Sequence, residues 1–284
     1  MKRRRLIFCC VLVLVAAGVV ALWLRHPKDP VYQGKKLSEW VAQVNHDTNE
    51  QAIQEASAAI HAIGAEALPW LMNQFATRNW KLAARVSEWT EQRTGLDLGF
   101  DEDEFRYQRA AYGISLLGTN AAPALPVLAR YLRDPVRGRG AILAMTGCGE
   151  ITLPYLLEAC ASTNLELTLL GVRGLTLNAL ETKAALPPLV QMTRHTNSVI
   201  RVMAILGLKR ARPRLDLAIP ALTNALSDSD SLVQMKAAFV LGTFGQDAKS
   251  AVPALLLMMQ SPDQMRVTYA SNALHQIDPS ALPR

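Results

Sequence analysis

The residues of this 284-residue chain with the types needed for metal or nucleophilic chemistry are five histidines and four cysteines. His26, His46, His61, His195 and His275 are scattered, with no HExxH and no paired ligand spacing, so their placement supports no zinc site. Cys9 and Cys10 sit in an apolar run, and Cys148 and Cys160 lie twelve residues apart with no CxxC pattern. At a helical rise of about 1.5 Å per residue, that separation argues against a disulfide between them. No base stands near either thiol in the sequence to activate it. There is no GxSxG elbow and no GxGxxG following a strand. The glycine-rich stretch 138–149 has no preceding strand and no Gly-Lys-Ser/Thr, so it does not read as a phosphate loop. Sequence spacing leaves one catalytic arrangement open, a carboxylate dyad assembled in space. No catalytic residue, cofactor or metal is assigned.

Cations are more regularly placed. Arg109, Arg137, Arg139, Arg173, Arg201, Lys236 and Arg266 each fall early in a segment that reads as the second helix of a helix pair. Two readings follow. A row of cations on one face could grip an acidic partner. Alternatively, Asp134, Asp228, Asp230 and Asp263, in the preceding turns, could pair with them in the same or a neighbouring unit. Arg109, Arg137, Arg173, Arg201, Lys236 and Arg266, with Trp80 and Trp89, are the candidate partner-binding residues. Lys209, Arg210, Arg212 and Arg214 are denser and read as a solvated loop.

Net charge does not point to nucleic acid. The formal charge is +6, and Lys2, Arg3, Arg4, Arg5, Arg25 and Lys28 account for all of it. The rest of the chain has 30 − 6 = 24 basic residues against 24 acidic ones, too even a balance for a phosphate-binding footprint.

The elements that position these residues come from a repeat. Pro154, Pro187, Pro220 and Pro253 are spaced by 33 residues, and each opens a similar apolar phrase. A polar break follows each: Ser162-Thr-Asn, His195-Thr-Asn, Ser227-Asp-Ser-Asp and Ser261-Pro-Asp. Beyond the breaks, Val233, Ala237, Val240 and Phe244, then Val267, Ala270, Leu274 and Ile277, keep the 3-and-4 spacing of one helix face. Proline near the start of the first helix gives up an N–H that would be unpaired there anyway. Each unit is therefore a helix, a polar turn and a helix, buried only by stacking on its neighbours.

The phrases Leu241-Gly-Thr-Phe-Gly-Gln-Asp-Ala-Lys-Ser-Ala-Val-Pro253-Ala-Leu, Leu117-Gly-Thr-Asn-Ala-Ala-Pro-Ala-Leu-Pro126-Val-Leu and Ile63-Gly-Ala-Glu-Ala-Leu-Pro69-Trp-Leu resemble HEAT repeats of the short bacterial type, including the HEAT-like repeats of phycobilisome lyases. The segment from Val31 to Val41 resembles the lead-in of membrane-anchored bacterial members. The resemblance implies an all-α, right-handed α-solenoid of about seven HEAT-like helix pairs over residues 37–284, with the second helices on the concave surface.

Residues 1–5 form a basic tail, and 6–24 are nineteen residues without a charge, enough to span a bilayer core of about 30 Å. The charge bias puts the N-terminus in the cytoplasm and the repeats outside, in the periplasm or beyond. The expectation is one N-terminal transmembrane helix, a single-pass membrane protein, with secretion after signal cleavage as the alternative. Residues 25–36 read as a polar linker with Ser38 as the N-cap of the first helix. The interval from Pro69 to Pro126 exceeds one period by 24, which places an insertion near 78–104. The expected function is a non-catalytic scaffold or adaptor, anchored in the membrane and binding protein partners through the concave surface. The alternative is a lyase-like protein handling a chromophore or other ligand on a client. Nucleic acid is not an expected partner.

Overall fold

The computed structural model of the chain describes residues 27–43, 50–77, 93, 106–179, 183–210 and 214–282. These fall into two compact units, divided between Asn120 and Ala121.

The first unit begins with a two-stranded antiparallel hairpin, β1 (Val31–Tyr32) and β2 (Lys35–Lys36). Gln33 and Gly34 both have positive φ, 49° and 78°, the pattern of a type I′ turn. So part of the stretch read as a polar linker is a β-hairpin. Helix α1 (Leu37–Ala42) follows, and Lys36 occupies the N-cap position expected for Ser38. Ser38 is instead inside the first turn, and its N–H donates to Asp29 Oδ1 at 3.1 Å. Trp40 Nε1 donates to the Tyr32 carbonyl at 3.3 Å, tying the hairpin to the helix. Helix α2 (Glu50–Ile63) buries Ala56, Ala59 and Ile60, and Trp40 packs on the two alanines. Helices α3 (Ala67–Ala76) and α4 (Arg106–Leu116) pack together. The insertion expected at 78–104, with Trp80 and Trp89, lies outside the described residues apart from residue 93.

The second unit is five helix pairs among the described residues. They are α5 (Leu125–Tyr131) with α6 (Gly138–Thr146), α7 (Leu153–Cys160) with α8 (Leu165–Asn178), α9 (Leu186–Met192) with α10 (Ser198–Leu208), α11 (Leu215–Ala225) with α12 (Ser231–Phe244), and α13 (Val252–Met258) with α14 (Gln264–Ile277). Each helix packs on its own partner, and α6, α8, α10, α12 and α14 pack on one another in that order as a layer of second helices. This is a stack of helical repeats, as the 33-residue period requires.

The core between the layers is small and aliphatic. Leu156, Leu175, Leu189, Ile205, Leu222, Leu241, Leu255 and Leu274 are buried beside Ala204, Ala237, Ala238 and Ala270. Each buried Leu or Ile contributes about 1.5–3 kcal/mol. One buried polar pair interrupts it: Thr152 Oγ1 lies 3.2 Å from Asn178 Oδ1, and Asn178 Nδ2 donates to the Gly174 carbonyl at 3.1 Å. Pro126, Pro154, Pro187 and Pro253 stand second in α5, α7, α9 and α13, as expected. Pro220 differs, because α11 starts five residues before it and holds it inside the helix. Short 3-10 turns join α6 to α7, α8 to α9 and α12 to α13, and Gly149 and Gly245 open two of them at φ 60°. Gly245 has ψ −137°, a conformation that a Cβ would strain.

The expectation of a single-pass membrane protein is corrected. No helix among the described residues is long and apolar enough to cross a membrane. The apolar run 6–24, on which that expectation rested, lies outside them. The repeat helices reach at most 14 residues and take their apolar character from burial against each other.

Gly171 sits where α8 crosses α7. A Cβ there would meet the Cys160 backbone nitrogen at 2.8 Å and the Leu156 carbonyl oxygen at 3.0 Å. Backbone cannot rotate aside, so Gly171→Ala should lower stability by about 1–3 kcal/mol in urea unfolding. An unchanged midpoint would show that the two helices can separate.

Candidate interaction surface

The second helices owe their common register to one turn, used four times. Asn164, Asn197, Asp230 and Asp263 are the N-caps of α8, α10, α12 and α14, spaced by 33. Each side-chain oxygen accepts from N–H groups of the first turn, such as Leu232 N at 2.9 Å and Val233 N at 3.3 Å for Asp230. Two residues earlier, Ser162, His195, Asp228 and Ser261 accept the N–H of the cap residue itself, at 2.9 to 3.1 Å. Four residues after the cap, Thr168, Arg201 and Gln234 each reach back to the carbonyl of the residue six positions before them. Helix N-termini leave four N–H groups unpaired, and these polar breaks supply much of the missing acceptance.

The same side chains join neighbouring turns. Arg201 makes a two-pronged pair with Asp228, Nε–Oδ2 at 2.8 Å and Nη2–Oδ1 at 2.6 Å, with both side chains only about 12–13 % exposed. Its Nη1 also donates to the carbonyls of His195 and Thr196. Gln234 donates to the Asp228 carbonyl and accepts from Arg266 Nη1 at 3.2 Å. Arg266 Nε lies 3.3 Å from Asp263. A ladder of polar side chains therefore crosses three consecutive turns. The Ser198 hydroxyl bonds to Asp230, and that bond, against a smaller opposing effect of burial, holds the Asp230 carboxyl below the usual range. At Asp134 burial acts upward, but the N–H groups of Arg137 and Val136 and the Arg137 guanidinium outweigh it and lower the pKa.

The expected cations thus divide. Arg137, Arg201 and Arg266 pair with aspartates in the turns, within the unit or across units. Arg173 and Arg139 are exposed on α8 and α6, and Arg109 is half-buried on α4 in the first unit. Lys236 lies over the Tyr269 ring at 5.8 Å, and Lys209 over Phe239 at 5.3 Å. Arg214 pairs with Asp216 at 3.0 Å, while Arg212 lies outside the described residues. Trp80 and Trp89 also lie outside them.

Among the described residues, chemistry-bearing groups do not converge. Cys148 and Cys160 are buried and form no disulfide, and burial pushes the Cys160 thiol up to about 12. No cluster of three metal-binding side chains occurs among the described residues. A shallow hollow of about 360 Å3 opens beside His195, Arg201, Asn224 and Asp228, and its charged lining is the Arg201–Asp228 pair of the ladder with the exposed Arg194.

Sequence spacing missed an apolar feature. Val199, Leu232 and Met265 are exposed at the second position after the cap in α10, α12 and α14, and Leu206 and Phe239 are exposed seven residues beyond Val199 and Leu232. Positions seven apart share a helix face. The two cation–ring contacts show that these faces adjoin across α10, α12 and α14. The signal was available in a helical projection: 232 and 239 fall off the stripe 233, 237, 240, 244 that forms the core.

Residues 186–275 match the sequence model of the HEAT repeats. That segment is α9 to α14, where the turn is most regular. No curated protein matches the chain. Among solved structures it is similar to a designed armadillo repeat protein in complex with the peptide (KR)4, at 14 % identity, covering 86 % of this chain and 100 % of that one, TM-score 0.41. It is also similar to human deoxyhypusine hydroxylase in complex with glycerol, at 15 % identity, covering 86 % and 96 %, TM-score 0.39. An engineered protein matches at 19 % identity, covering 69 % and 97 %, TM-score 0.39.

Two predictions follow from the turn. Asp228→Leu leaves the Arg201 guanidinium largely buried without its carboxylate and should cost about 3–5 kcal/mol, whereas Asp228→Leu with Arg201→Met should recover much of that loss. Additive losses in thermal unfolding would show that the pair is not coupled. The lowered Asp230 pKa stabilises the fold above the unfolded-state value, and that stabilisation is lost as pH falls through the lower folded-state value. Asp230→Asn should therefore flatten the acid limb of the stability curve, as followed by circular dichroism from neutral pH downward. A limb of unchanged slope would remove Asp230 from the acid response.

Proposed function

We propose that the chain is a non-catalytic scaffold or adaptor that binds another protein through the solvent-exposed face of its second helices. The observation carrying this reading is the in-register row of exposed apolar side chains on α10, α12 and α14. Core packing does not require Val199, Leu206, Leu232, Phe239 and Met265, since each helix already buries a separate stripe. Contiguous exposed apolar surface on a soluble fold is most often an interaction site. The turn ladder fixes how neighbouring second helices align, and a preformed surface binds without a large ordering cost. Of the candidate cations, Lys236 borders this row and Arg173 lies beside it on α8, so these two fit partner binding. Arg137, Arg201 and Arg266 fit the role of holding the turns.

The test is crosslinking in the native cell with a photoreactive residue placed at position 206 or 239, followed by mass spectrometry. A stoichiometric protein partner captured from both positions, and lost from position 206 in a Phe239→Ser background, is the expected result. Crosslinks that come instead from first-helix positions such as 157 or 257 would move the binding face to the other layer.

A further inference from the structure

The face carried by α10, α12 and α14 has a second property besides its apolar row. None of the three helices contains an aspartate or a glutamate, although the chain beyond residue 28 is evenly balanced in charge. The carboxylates nearest the row are in the turns, where Asp228 and Asp263 are engaged by Arg201 and Arg266 and Asp230 by the N–H groups of Leu232 and Val233 that it caps. Lys209 and Lys236 instead lie over Phe239 and Tyr269, at the edge of the apolar row. Arg173 is exposed on α8, one helix further along, and Arg210 is exposed at the end of α10.

We infer that the surface takes an acidic amphipathic helix, one whose apolar side chains seat between Val199, Leu206, Leu232, Phe239 and Met265 and whose Asp and Glu residues meet Lys209, Lys236 and Arg173. This inference rests on the scaffold reading and supplies its partner's chemistry. Charge complementarity chooses the occupant. A second copy of the chain offering the same face would set lysine against lysine. Nucleic acid would need many phosphate contacts, and here a few cations surround an apolar centre. The size also fits. Helices packed about 8–10 Å apart put α8 and α14 roughly 24–30 Å apart, the length of about 16–20 helical residues. Apolar anchors at i, i+3, i+4 and i+7 are the usual way such a helix engages a groove. A carboxylate arriving beside a lysine that lies over a ring keeps the cation–π contact and adds an ion pair.

The experiment uses the full chain and two fluorescent synthetic peptides of about 20 residues. Both carry Leu and Phe on one helical face; one has Glu on the other face and one has Lys. A single-stranded oligonucleotide is the third probe. Fluorescence anisotropy should show the Glu peptide binding at least about tenfold more tightly than the Lys peptide, and Leu206→Ser with Phe239→Ser weakening it by about tenfold. Lys236→Glu should weaken the Glu peptide and strengthen the Lys peptide. Circular dichroism melts confirm folding of each variant, and the single charge reversal keeps the test valid should the double variant unfold. Equal binding of the two peptides, binding of neither, or binding of the oligonucleotide alone overturns the inference. If the crosslinks of the preceding section fall on this face while the peptides show no acidic preference, only the partner's chemistry is wrong. Crosslinks on the other layer would remove the face itself.

Discussion

Everything regular in the second unit depends on how the turn between two helices satisfies its own backbone. A helix start presents four N–H groups with no partner inside the helix, and a stacked array repeats that problem at every second helix. At α8, α10, α12 and α14 the chain answers it with a cap side chain and an acceptor two residues before it, joined in the first three by a donor four residues after it. Because the solution is local, the turns recur at one interval. Because Arg201 reaches Asp228 in the next turn and Arg266 reaches back to Gln234, the same residues also align neighbouring helices. Register along the stack is set at this edge, and the alanine- and leucine-rich interior is packed to fit.

The fold was largely legible because its determinants are local. Four prolines, four polar breaks and two apolar stripes were enough for the helix pairs and their order. The aspartate–cation ladder was also readable as one of two roles for the cations, since Asp134, Asp228 and Asp263 fall in the turns. What spacing could not do was decide which cation met which acid. Arg201 pairs with an aspartate 27 residues on, and Arg266 with one three residues back, a difference set by side-chain reach.

The least legible feature was the surface. Apolar positions in a repeat are counted as core by habit, and Leu232 and Phe239 blend with Val233 and Val240 until the helix is given a direction. Only the neighbouring helices reveal which stripe is covered. The hairpin at 31–36 was missed for the opposite reason. Its strands are two residues long, and its turn depends on two positive φ values, one of them at a glutamine. Pro220 shows a similar limit: the sequence marks where a helix is permitted to begin, while α11 begins earlier because Leu215 to Ile219 also take helical backbone.

The stitching at the turns has a mechanical consequence. The last three pairs are joined at one edge by charged and amide side chains with strong directional preferences, and elsewhere by close-packed apolar contacts without direction. A stack built this way is tied most firmly along that edge, from α10 to α14. Any splaying of these helices would therefore pivot about the line through Arg201, Asp228, Gln234 and Arg266. Such a motion would change the spacing of the exposed faces while leaving every helix intact.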